Sequence, residues 1–171
     1  MQLPGDTLGG GRGGLLAEIL TRYPRMHGVL FDQPDVVACA TAVLDRAGVS
    51  DRCQLVGGDF FRVVPDVKHE GRAALILKAV IHDWPDDDSI AILGACHRAM
   101  GGTCTLLLLE QLLDDGPDPG RTAFSDLTCW SPGGKERTTS EYRALLAHAG
   151  FQLVRTVPTG TDVFLLEATP T

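Results

Sequence analysis

Short apolar runs alternate with longer amphipathic stretches along this chain, and each run stops at a polar or charged residue. Gly28-Val29-Leu30-Phe31 ends at Asp32, and Gln54-Leu55-Val56 ends near Gly57-Gly58-Asp59. Residues 73–77 end at Lys78, and the leucine-rich run 103–109 ends at Glu110. These read as strands. Residues 15–20 open a helix. Residues 34–47 carry Val36, Val37, Ala40, Val43 and Leu44 at the spacing of one further helix. Residues 89–100 and 139–149 are helical in the same sense, the latter stopped by Gly150, which suits a left-handed C-terminal cap. The chain closes with strands over 151–157 and 162–168. The four residues between them cannot hold a crossover helix, so this last pair is antiparallel.

Strands alternating with helices predict an α/β fold: one domain over residues 1–171 on a doubly wound, Rossmann-like sheet, mostly parallel, with an antiparallel C-terminal hairpin at one edge. Such sheets bind ligands beyond the carboxyl ends of their strands. Asp32, Asp59, Lys78, His82 and Glu110 all fall at or just past predicted strand ends.

Composition narrows the classes. A chain of 171 residues with 44% apolar content is long enough for a packed core. A net charge of −7 lacks the basic footprint of a nucleic-acid binder. The five cysteines are odd in number and form no CxxC pair, which argues against a disulfide framework or a zinc knuckle and for a reducing, cytoplasmic setting. No apolar run reaches the length of a membrane span, and MQLPGDTLGGGRGG lacks the pattern of a secretory signal.

The candidate chemistry begins at Gly9-Gly10-Gly11-Arg12-Gly13-Gly14, which contains G-x-G-x-x-G. Glycines there let the backbone turn tightly against a ligand. Asp32 lies about 20 residues on, where an acidic residue can accept both ribose hydroxyls. Asp59 could accept the amine of an adenine with Phe60 packed on the ring, or it could be a turn aspartate. In Leu77-Lys78-Ala79-Val80-Ile81-His82-Asp83-Trp84, His82 stands just past a strand end. An imidazole with an ordinary pKa of about 6.5 is suited to general-base work there. Glu110 and Glu136 could flank and orient that imidazole. Their plain alternatives are a strand-end salt bridge for Glu110 and a solvated loop for Glu136. Asp83, Asp86, Asp87 and Asp88 around Pro85 suggest a helix start in preference to a metal site, because negative charge suits that end of the helix dipole. No metal is expected.

With these residues in view, the chain resembles the catalytic domain of the plant caffeic-acid-type O-methyltransferases and their bacterial relatives, such as the hydroxyneurosporene and polyketide O-methyltransferases. The resemblance runs from Gly9 onward through GGGRGG, LFDQPDVV, DRCQLVGGDFF, LKAVIHDWPDDDSIAIL, LLLLEQLL and GGKERTTSEYRALLAHAGF. It implies S-adenosylmethionine as cofactor and a hydroxyl of a small aromatic molecule as acceptor. It puts Gly9, Gly10 and Gly11 at the methionine portion, Asp32 at the ribose, Asp59 and Phe60 at the adenine, and Lys78 in the same pocket. His82 becomes the base, framed by Glu110 and Glu136, and Asp126 falls near the acceptor. Trp130 falls among the loop residues that would shape the acceptor pocket, and reads equally as a core or interface aromatic. The pattern departs in two places. Thr7 stands where the family usually has an acid, in a poor strand sequence, Gly5-Asp6-Thr7-Leu8. Family chains are also about twice as long, with an N-terminal dimerisation half, so either a homodimer or a partner chain that supplies that half is expected. Two other classes stay open. An NAD-dependent oxidoreductase would explain the glycines and Asp32 but leaves HDW and GGKERT without a role. A non-catalytic domain that binds cofactor or a partner chain accommodates Thr7 and the short length.

Overall fold

The computed structural model describes residues 5–67, 73–100, 104–113 and 133–171, the first four of these through their backbone. Seven strands form one sheet in the order β3-β2-β1-β4-β5-β7-β6. They are β1 (Gly5–Leu8), β2 (Gly28–Asp32), β3 (Cys53–Gly57), β4 (Ala73–Lys78), β5 (Cys104–Gln111), β6 (Phe151–Pro158) and β7 (Val163–Pro170). The first five run parallel. β7 lies antiparallel between β5 and β6, so the expected hairpin forms the edge. The chain winds outward from β1 to β3, then returns to place β4 on the other side of β1. A crevice therefore opens at the carboxyl ends of β1 and β4, where the winding reverses.

The four-residue β1 has little strand propensity of its own. It forms because neighbours supply ladders on both sides, with Thr7 opposite Leu30 of β2 and Ile76 of β4. Strand propensity is set largely by such context. Among the described residues, five helices cover the sheet: α1 (Gly14–Arg22), α2 (Pro34–Ala38), α3 (Thr41–Ala47), α4 (Asp86–Ala99) and α5 (Thr139–His148). Two apolar clusters result. Leu16, Leu20, Leu30, Ala40 and Leu44 join α1 and α3 to β2. The larger cluster, with Leu77, Ile92, Leu106, Leu146 and Leu166, joins α4 and α5 to β4, β5 and β7.

The single helix expected over 34–47 is two helices. Cys39 and Ala40 keep right-handed helical dihedrals, but their N–H groups bond three residues back, to Val36 and Val37. That tighter turn buries Ala40 beside Gly13, where a Cβ on Gly13 would lie 3.5 Å from the Ala40 Cβ. The helix expected over 89–100 opens three residues earlier, at Asp86, where the aspartates after Pro85 suggest a helix start. Pro85 precedes α4, whose first turn carries Asp86, Asp87 and Asp88. Thr138 and Glu141 form a reciprocal capping box at the start of α5, and Gly150 follows it with φ +86°.

Candidate active site

The glycine loop joins β1 to α1 across the crevice. Gly9, Gly11 and Gly13 take φ of +63°, +55° and +80°. A Cβ on Gly9 would fall 2.6 Å from the Val80 side chain, so the loop runs too close to the β4 turn for any other residue. The Asp32 carboxylate ties this loop to β2. Its Oδ2 accepts the Gly11 N–H at 2.8 Å, and its Oδ1 accepts the Gln33 N–H at 2.7 Å. A carboxylate has about four acceptor positions, so each oxygen keeps capacity for a hydroxyl in the crevice.

One strand over, Gly58 donates to the Asp32 carbonyl at 2.9 Å and passes over the Phe31 ring, which a Cβ would strike at 2.6 Å. Asp59 follows. It is a turn aspartate, accepting the Phe61 N–H at 2.9 Å, and it also lines a cavity of about 560 Å³. Gln33, Phe60, Phe61 and Trp84 contribute to the same walls. The Phe61 and Trp84 rings meet edge to face at 4.7 Å, and Phe60 meets Trp84 at 5.9 Å. Asp59 is thus a turn aspartate that also borders the cavity. Lys78 is exposed at the end of β4. Asp126 and Trp130 lie outside the described residues.

His82 sits on a short turn past β4, Ile81–Asp83, which follows Ala79 in the left-handed region at φ +52°. Its Nδ1 lies 3.1 Å from Glu136 Oε1 and 3.7 Å from Glu110 Oε2, and its Nε2 lies 3.4 Å from Asp83 Oδ1. Glu110 and Glu136 are each 1% exposed, so the solvated-loop alternative for Glu136 does not hold. Glu110 also braces the turn, because its Oε1 accepts the N–H groups of Val80 and Ile81 at 3.1 and 2.9 Å. The hydrogen bond that Nδ1 donates to Glu136 is the largest cause that raises the His82 pKa, to about 9; burial opposes this, and the charges of Glu110, Glu136 and Asp83 add to it. Burial pushes the Glu110 carboxyl up to about 7, against the pull of the His82 charge and the two N–H groups. A carboxylate can only accept, so Nδ1 donates to Glu136. Nε2 is then the nitrogen that can gain or lose a proton.

Sequence reasoning missed four members of this neighbourhood. Phe61 and Trp84 wall the cavity, and Trp84 was visible in the HDW motif. Arg137 and Tyr142 are fully buried beside the two glutamates. Arg137 engages Asp86 at 2.8 Å, which holds that carboxyl below its usual range. That pairing employs one of the aspartates that had raised a metal site as an alternative.

This α/β sheet, with a glycine loop at its reversal and a caged histidine beyond β4, is the arrangement of a Rossmann-like methyltransferase. The chain belongs to the O-methyltransferase domain family, which it matches over residues 6–152. It is 42% identical over 164 residues to the phenazine O-methyltransferase PhzM of Lysobacter antibioticus, covering 95% of this chain and 47% of that protein. It is 39% identical over 154 residues to a mitomycin biosynthesis 6-O-methyltransferase of Streptomyces lavendulae, covering 90% and 43%. Among solved structures, it is similar to the neocarzinostatin-biosynthesis O-methyltransferase NcsB1 in complex with S-adenosylmethionine and 2-hydroxy-5-methyl naphthoic acid. The TM-score is 0.85 at 32% identity, covering 99% of this chain and 49% of that one. The chain thus spans about half the length of the relatives it matches. Among the described residues, no helix is long and apolar enough to cross a membrane.

Proposed function

We propose that this chain is the catalytic domain of an S-adenosylmethionine-dependent O-methyltransferase acting on a hydroxyl of a small aromatic molecule. The observation that carries this reading is His82, whose Nδ1 is held by two buried glutamates while its Nε2 lies on the other side of the ring, two residues before the Trp84 that walls an aromatic cavity.

The crevice fits the cofactor. Gly9 leaves no Cβ to block close approach, Asp32 keeps acceptor capacity at ribose height, and the cavity pairs a carboxylate with flat rings, as an adenine requires. Bound there, S-adenosylmethionine supplies an electrophilic methyl group on a sulfonium. The protein's part is to hold the acceptor hydroxyl and take its proton. Nε2 of neutral His82 accepts that proton, while Nδ1–H stays on Glu136 and fixes the tautomer. As the imidazole becomes charged, Glu136 and Glu110 stabilise it. An oxidoreductase would leave this cage without a task. The similarity to a complex with a naphthoic acid supports the aromatic acceptor class. The remainder of the acceptor pocket is assigned to a second domain, in the same chain or in a partner.

Calorimetric titration with S-adenosylhomocysteine, with NADH as control, tests the cofactor. Micromolar binding of the former alone is the expected result. Binding of NADH, or of neither, overturns the reading.

A further inference from the structure

Arg137 adjoins Glu136 in a stretch that reads as a polar loop, yet its side chain is wholly buried. Its guanidinium donates to the Ile81 carbonyl at 3.1 Å and the Trp84 carbonyl at 2.8 Å, on either side of His82. Its Nε and Nη2 grip Asp86 Oδ1 at 3.0 and 2.8 Å, at the start of α4. Further donation goes to the Lys135 carbonyl at 3.3 Å and to Ser89 Oγ at 3.4 Å. The carbonyl of His82 itself accepts the Lys135 N–H at 2.9 Å.

From these contacts we infer that Arg137 is a positioning residue that sets the base and one wall of the cofactor cavity together. The turn from Val80 to Trp84 has its first two N–H groups held by the Glu110 carboxylate and two of its carbonyls held by the Arg137 guanidinium. One carbonyl fixes the residue before His82, and so the reach of its Nδ1 to Glu136. The other is that of Trp84, whose ring packs on Phe60 and Phe61. Only a planar fork with five donors can span Ile81, Trp84 and Asp86 at once; a lysine ammonium is a point charge and cannot. The role of His82 and of the cavity in this inference rests on the function proposed above.

Arg137→Lys tests it, because the charge stays and the fork is lost. His82 is followed by NMR titration of its ring proton, assigned against His82→Ala. S-adenosylhomocysteine affinity is measured in parallel, with the fold checked by thermal melting. The expected result is a cooperatively folded variant whose His82 pKa falls from about 9 toward the ordinary 6.5 and whose ligand affinity drops about tenfold. Lowered melting temperature with an unchanged His82 titration and unchanged affinity would make Arg137 an ordinary structural residue and overturn the inference. Should Arg137→Lys not fold, Asp86→Ala releases the outer edge of the guanidinium from an exposed position. The same two shifts, smaller, are then expected, and their absence overturns the inference. If the unaltered chain binds no S-adenosylhomocysteine, the methyltransferase reading fails while the His82 titration still decides the role of Arg137.

Discussion

The two halves of the sheet, on either side of the reversal between β1 and β4, handle charge in opposite ways. In the β1–β3 half, Asp32 is half-buried and Asp59 exposed, and both are steadied by backbone N–H groups. In the β4–β7 half, Glu110, Glu136 and Arg137 are at most 1% exposed, and all are paired with charged groups or backbone. A site that binds a polar ligand must leave lone pairs open to it. A site that tunes a proton must exclude water, so that nearby charges act at full strength. On the proposed function, the first half serves recognition and the second chiefly chemistry, with Trp84 of the second half also walling the cavity, and substitutions away from Trp84 and its Arg137 anchor should separate the two.

The sharpest test is His82→Ala. Methyl transfer is expected to fall by roughly 10²–10⁴, with S-adenosylhomocysteine affinity changed less than about twofold, since His82 is not among the residues that line the cavity. Equal loss of both would break the division. Next is pH. A base whose pKa is raised to about 9 is mostly protonated at neutrality, so the rate constant at low acceptor concentration should climb with pH and level off near 9. A profile that is flat above neutrality would remove His82 from the proton transfer. In the recognition half, Asp32→Ala removes an acceptor from Gly11 and from the ribose position. Cofactor affinity should drop at least about tenfold, in keeping with charged hydrogen bonds, and saturating cofactor should restore most of the turnover. The smallest effect is expected at Ala79, whose left-handed backbone strains an alanine. Ala79→Gly should raise stability by at most about 1 kcal/mol, the relief of that strain less the added chain entropy, seen as a slightly higher melting temperature with unchanged activity.

Much of the frame is legible because apolar runs ending in charged residues mark parallel strands and their carboxyl ends. That logic placed Asp32, Asp59, His82 and Glu110 correctly at one edge of the sheet. It could not find the break at Cys39 and Ala40, because both residues keep helical dihedrals and the break is decided by the close packing of Ala40 beside Gly13. Nor could it see Arg137 as buried. An arginine among Gly, Lys and Glu reads as solvated until the carbonyls of a distant turn are brought to it. Phe61 was hidden for a related reason, since its value lies in meeting Trp84 across the cavity. Glu110 and Glu136 were placed beside a distant His82 with the help of the family motifs, whereas Arg137 and Phe61 depend on partners that only the fold delivers.

Gly134 has a consequence of another kind. A side chain there would press on the His82 carbonyl at 2.8 Å and the Asp83 backbone at 3.0 Å. The segment with Glu136 and the turn with His82, 54 residues apart, are therefore fitted backbone to backbone. In a library of chimaeras with homologous enzymes, these two stretches form one heritable block. A crossover between residues 84 and 133 would pair a turn from one parent with a strap from another, and productive recombinants should be depleted there relative to crossovers within α5 or the terminal hairpin.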